Sequence, residues 1–225
     1  MVRIVKGPLV RHNEILDTAQ RLVYTRGYEQ MTIQDILDEL HISKGAFYHY
    51  FDSKQALLEA LTERLLGEAE SILTPIRDDP QRSAIEKLNA YFDSGMNWKT
   101  AQKAYMMALV RGWYSDDNAI VRQKLTHDGY ARIAPFIETI LVQGVQEGSI
   151  SIPYPRQTAQ VVVALMTNLG DTLAGMIIAS QPGGADMLQV EVMVAAFTGA
   201  LERILGTAPG LLKLLEMGVV KEWFI

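Results

Sequence analysis

Apolar positions along the chain recur with a period near 3.6, not 2, over most of its length. Ile15, Ala19, Leu22 and Val23 stand at i, i+4, i+7 and i+8 and predict a first helix over about residues 10–25, stopped by Gly27. Thr32 with Asp35 has the form of a capping box, with Asp in the place of the usual Glu or Gln, and opens a second helix with the stripe Ile33, Ile36, Leu37 and Leu40. That helix ends near His41. Ser43 is a good N-cap for a third, short helix through about residue 50. Asp52 with Gln55 reads as a further capping box, opening a long helix over about residues 53–73. Pro75 and Pro80, with Asp78 and Asp79 between them, mark a break.

Helical patterns resume over about residues 81–97, 100–114 and 118–147, with Pro135 a candidate kink in the last. Residues 148–155 read as a loop. Two long apolar helices follow, about 156–180 and 185–205, separated by Gln181-Pro182-Gly183-Gly184, and residues 211–225 predict a short terminal helix. Sustained alternation is missing from the sequence, and Asp128-Gly129 has no alternating apolar runs beside it, so no hairpin is expected. The expected fold is therefore all-α with nine or ten helices. At 225 residues and 48% hydrophobic, the chain can bury a small domain plus a medium one. The boundary is expected after residue 54: a three-helix unit over 1–54 and a larger helical domain over 55–225.

Two short helices joined by a three- or four-residue turn make the helix-turn-helix pattern of DNA-binding proteins. The third helix has two faces. Phe47, Tyr50 and Phe51 fall on one side and can pack on Ile15, Leu22, Ile36 and Ile42; Lys44 and Tyr48 share the other at i, i+4, beside Gly45 and His49. A helix-interior glycine costs about 1 kcal/mol against alanine. Close approach of the helix backbone to another surface is a reason to keep Gly45. Tyr and His donate to phosphate oxygens, Lys reaches a phosphate or a base edge, and the helix starts near Thr32 and Lys54 add backbone N–H donors. The net charge of −5 does not argue against this. Residues 1–56 hold seven basic and seven acidic groups and three of the four histidines, so the acidity lies in the rest of the chain. A DNA-binding module needs local potential, not a basic whole. Without the function, the same segment is an ordinary three-helix packing unit with a solvated polar face.

The run Thr32-Ile33, Ile42-Ser43-Lys44-Gly45, Phe47-Tyr48-His49-Tyr50-Phe51 and Ser53-Lys54 with Leu57 closely resembles the tetracycline-repressor (TetR) family of transcriptional regulators. The resemblance covers roughly residues 10–60. It implies that Thr32, Ser43, Lys44, Tyr48, His49 and Lys54 contact DNA, mostly its backbone, and that Gly45 and Ala46 lie against the major groove. One departure is His41, where the family usually has glycine in the turn; histidine enters the left-handed region less easily. The resemblance also implies a variable second domain that binds a small-molecule effector, and a repressor released from a pseudo-palindromic operator.

Such operators are read by dimers. The last two long helices are the expected homodimer interface: they are apolar around much of their circumference and carry the small residues Gly170, Ala174, Gly175, Ala195, Ala196 and Gly199. The middle helices are rich in aromatics and methionine, and pockets are mostly apolar with a few placed polar groups. Trp98, Tyr105, Met106, Trp113, Phe136, Asn168 and Asp171 are the candidate pocket residues, with Arg111 and Thr172 as further polar groups. Asp171 equally suits a contact across the dimer.

Other classes find less support. There is no Gly-x-Ser-x-Gly, no His-Glu-x-x-His and no phosphate-cradling glycine loop, so no enzyme is expected. With no cysteine and no carboxylate set near His41 and His49 at ligand spacing, neither metal nor cofactor is expected. The stretch 161–179 is broken by Asn168 and Asp171, which argues against a membrane span, and no signal-peptide pattern opens the sequence. A cytoplasmic regulator is expected. The alternatives are a helical protein-interaction module without DNA and a transcriptional activator.

Overall fold

The computed structural model describes residues 7–224 except 102, 104–106, 108–109, 111–113, 115–118 and 180–185. Among the described residues all regular structure is helical: α1 (Pro8–Arg26), α2 (Ile33–Leu40), α3 (Lys44–Tyr48), α4 (Lys54–Asp78), α5 (Ala84–Ala101), α6 (Ala119–Glu147), α7 (Pro155–Ala179), α8 (Met187–Leu205) and α9 (Met217–Glu222). The helix expected over 100–114 falls largely outside the described residues. The chain divides into two compact units, Met1–Glu68 with Lys103–Leu125, and Ala69–Gln102 with Thr126–Ile225. Helix α4 contributes residues to both.

In the first unit the stripe read from the sequence forms the core. Ile15, Ala19 and Val23 of α1, Ile36 of α2, Phe47 of α3, and Leu57 and Leu61 of α4 are fully buried. The capping box at Thr32 is present in both directions, with Asp35 N–H donating to the Thr32 hydroxyl and the Asp35 carboxylate accepting from Thr32 N–H. Helix α4 is capped one residue later than the Asp52–Gln55 pairing suggested: Ser53 Oγ accepts from Ala56 N–H at 3.0 Å. It also runs on through Pro75 to Asp78, so the break comes at residues 79–83. Pro75 stands in the last turn of α4, where its missing N–H and the crowding of its ring on the preceding turn are borne without stopping the helix.

The second unit packs α5 to α9 around Leu88, Ile137, Ile140, Leu141, Val190, Leu201 and Leu205. Ser83 and Glu86 open α5 with a reciprocal capping box. The tail departs most from expectation. Only Met217–Glu222 is helical, and residues 207–216 form a non-helical strap. Gly206 at φ 62° ends α8, and a Cβ there would lie 2.6 Å from the Ser151 carbonyl oxygen. Two polar side chains then hold the strap by its backbone. The buried Glu202 carboxylate accepts from Gly210 N–H at 2.7 Å and Leu212 N–H at 3.2 Å. Asn89 donates to the Leu211 carbonyl at 3.0 Å and accepts from Lys213 N–H at 2.8 Å. These bonds let Leu212, Leu214, Val220 and Phe224 bury without regular structure, since buried amides need partners.

Helix α7 is long and apolar enough, by length and composition, to cross a membrane, which the sequence reading had set aside. In the structure Ala159, Val162, Val163, Leu169 and Leu173 bury one side of it in this core.

Candidate functional site

The turn between α2 and α3 decides how α3 is presented. His41 takes the left-handed conformation, φ 51° and ψ 45°, and is the one non-glycine residue with positive φ among the described residues. Its N–H bonds back to the Leu37 carbonyl, as does that of Ile42 at 3.1 Å. Histidine therefore accepts the turn that glycine would take at less steric cost. Ser43 then caps α3, its hydroxyl accepting from Ala46 N–H at 3.2 Å.

Helix α3 is anchored by Phe47, which is fully buried, and by Phe51, whose ring stacks on His12 of α1 at 4.9 Å. Rings at 87° set Tyr48 edge-on to Phe47, and Tyr50 meets His49 at 4.9 Å. With that side anchored, Ser43, Lys44, Gly45, Tyr48 and His49 are all exposed, and Ala46 is half-buried. The Lys44 ammonium stands 5.8 Å from the centre of the Tyr48 ring. A Cβ added at Gly45 would meet nothing of the protein within 4 Å. Internal packing thus gives no reason for glycine at this position.

The two flanking residues are more committed. Thr32 Oγ1 donates to Asp35 Oδ2 at 2.7 Å while accepting from Asp35 N–H at 3.1 Å, so its hydroxyl already serves the cap. These bonds, and the Arg26 guanidinium 2.8 Å away, hold the Asp35 carboxyl below its ordinary value. The cap's contribution is therefore present above the ordinary carboxylate range and is lost as pH falls through the lowered value. Lys54 is half-buried. Its ammonium donates to the Glu29 carbonyl at 3.3 Å and sits 4.4 Å from the centre of the Tyr28 ring. Burial pushes its pKa down, against the pull of Glu29 and Asp35. The side chain thereby ties the α1–α2 turn to the start of α4.

Of the candidate pocket residues, Tyr105, Met106 and Trp113 lie outside the described residues, as does the Trp98 side chain on α5. Phe136 is half-buried in a polar-aromatic cluster that pattern reading missed. Its ring lies 5.1 Å from that of Tyr91, and the Arg77 guanidinium stands 5.2 Å from its centre. Arg132 holds Glu70 with both carboxylate oxygens, at 2.5 and 3.0 Å. Burial, with the Glu70 carboxylate adding to it, pushes the Tyr91 phenol up to about 12. The neutral phenol supports the fold fully below its ordinary value of 10.0, and that support is lost as pH rises from there towards 12. An ultraviolet titration should show a tyrosine ionising in this late step, and Tyr91→Phe should remove that step.

Asn168 and Asp171 are not interior groups. They are exposed on α7, on one face with Val161, Ala164, Gly175 and Ile178. Leu188, Val192 and Ala195 are exposed along α8, and Gly170 and Gly175 have no atoms near enough to hinder an added Cβ. Two neighbouring helices thus show apolar, small-residue faces to solvent. Among the described residues no group of three or more His, Asp or Glu side chains is placed to hold a metal ion.

Residues 15–61 match the family described as bacterial regulatory proteins, tetR family. The chain is similar to the HTH-type transcriptional regulator EthR of Mycolicibacterium smegmatis, 24% identical over 71% of this chain and 83% of that one. It is similar to the HTH-type transcriptional repressor NemR of Escherichia coli, 30% identical over 37% of this chain and 42% of NemR. The fold is that of a TetR-family regulator from Pectobacterium atrosepticum (TM-score 0.64, 17% identity, 89% and 98% of the two chains). It is also that of SmeT in a complex with triclosan (TM-score 0.62, 18% identity, 92% and 98%).

Proposed function

We propose that this chain, whose residues 15–61 match the tetR family of bacterial regulatory proteins, acts in the cytoplasm as a homodimeric repressor of that family, released from a pseudo-palindromic operator by a small molecule. The observation that carries the reading is the exposed Ser43, Lys44, Gly45, Tyr48 and His49 face on a helix anchored from behind by Phe47. Lys44, Tyr48, His49 and the Ser43 hydroxyl supply donors to phosphate, while Gly45 and Ala46 leave the backbone free to approach the groove. Thr32 and Lys54 serve this face by fixing the starts of α2 and α4, and the N–H groups there add donors.

The exposed faces of α7 and α8 are the proposed dimer interface, with Asn168 and Asp171 supplying its polar contacts. This also accounts for a helix as apolar as α7 in a DNA-binding protein: its second side is covered by a second copy. Phe136 and Tyr91 belong to the proposed effector-sensing region. Helix α4, which begins beside the DNA-reading helices and ends among the sensing ones, is the proposed connection between them. An effector works only by binding the two states of that helix with different affinity.

The test is selection from a random duplex library, then gel shift of the winner at two salt concentrations. A palindromic winner whose binding weakens steeply with salt is expected. A folded dimer that enriches no sequence would overturn the reading. The protein-interaction alternative would then stand, since it needs no such face. A second expectation separates fold from function at one position. Gly45→Ala should raise stability by about 0.5–1 kcal/mol, because nothing in the protein opposes the new methyl group. The same methyl should weaken operator binding. Thermal melting and gel shift of one preparation check both signs.

A further inference from the structure

Among the cross-helix contacts of the second unit, the Arg132–Glu70 pair joins α6 to the last part of α4 and is half-open to solvent on both sides, at 33% and 42%. It is bidentate, the geometry in which guanidinium recognises a carboxylate best. Beside it stand the Tyr91 phenol, Phe136 with its ring tilted against that of Tyr91, and Arg77 over Phe136. An aromatic ring and a carboxylate are thus the two groups this corner is already built to hold.

We propose that this pair is the coupling latch of the regulator, and that effectors are aromatic carboxylates that take Glu70's place on Arg132. The inference rests on the regulator reading above. The exchange swaps one carboxylate for another on the same guanidinium, so the charge balance at Arg132 is kept. Glu70, already 42% exposed, returns to water at little cost. The ligand ring gains contact with Phe136 and Tyr91. What is lost is the tie from α6 to α4. Arg132 would set ligand class, and Glu70 would act as a positioning residue that holds α4 in its operator-binding state.

The probes are benzoate and its neutral analogue benzamide, on the full-length dimer with its selected operator. Benzoate should raise the melting temperature and release the operator, and benzamide should do neither. Glu70→Gln should weaken operator binding about tenfold without any ligand, within the usual range of allosteric coupling. Arg132→Gln should weaken operator binding likewise, and benzoate should no longer raise its melting temperature. The double exchange Glu70→Arg with Arg132→Glu should restore operator binding and respond to benzylamine in place of benzoate, an inversion that a merely structural ion pair would not produce. A protein that binds its operator but ignores benzoate, with Glu70→Gln at wild-type affinity, overturns this proposal and leaves the regulator intact. A protein that binds no operator overturns the regulator reading, and the melting response to benzoate then decides the Arg132 site by itself.

Discussion

Replacing Val192 with aspartate should turn a dimer into a monomer and remove operator binding. Val192 is 61% exposed on α8, one turn from Leu188 at 67%, so within one chain neither the core nor any described hydrogen bond depends on it. Paired across a two-fold axis, the substitution buries two carboxylates with no partner. Leaving an uncompensated charge at such a surface costs about 3–5 kcal/mol, which is more than a hundredfold in the association constant. Operator affinity should fall at least as far, because a monomer holds one half-site where the dimer holds two. Sedimentation and gel shift on one preparation check both halves. A variant that remains dimeric and binds normally places the interface elsewhere.

Phe47 and Tyr48 are adjacent and should fail in opposite ways. Phe47→Ala empties the centre of the three-helix unit, where the ring is fully buried, and should cost about 3–5 kcal/mol, enough to unfold a small unit of ordinary stability. Tyr48 is 40% exposed and contributes an edge contact to Phe47. Its replacement by alanine should leave circular dichroism and melting nearly unchanged while operator binding weakens about tenfold or more, the loss of a phosphate donor and its packing. Equal loss of fold in both variants would mean that Tyr48 belongs to the core and not to the reading face.

Periodicity made the three-helix unit legible because there every signal agrees. Thr32, Asp35 and Ser43 cap where their side chains predict, and the stripe from Ile15 to Phe47 is the core. The exposed face of α3 was legible for the same reason, since Lys44 and Tyr48 are what remains once Phe47 and Phe51 are turned inward. Thr32 and Lys54 show the limit. Their residue types suit phosphate, and their further bonds within the protein, Thr32 to Asp35 and Lys54 to Glu29 and Tyr28, are revealed only by tertiary placement. The larger unit was less legible. Asn168 and Asp171 look like pocket groups in an apolar helix, yet they share its exposed face. Glu70 and Arg132 are 62 residues apart and carry no local signal. The strap over 207–216 has no period to read, because its amides are satisfied by Glu202 and Asn89 and not by each other.

That strap has a consequence for how the protein is made. Asn89 waits for Lys213, 124 residues later, and the core around Ala84 and Leu88 closes only when Val220 and Phe224 arrive. At about 5–20 residues per second of synthesis, the contacts among α1, α2 and α3 form many seconds before the larger core can be sealed. During that interval the nascent chain carries the three-helix element in front of an apolar core that is still open to solvent, the kind of surface that is prone to aggregate.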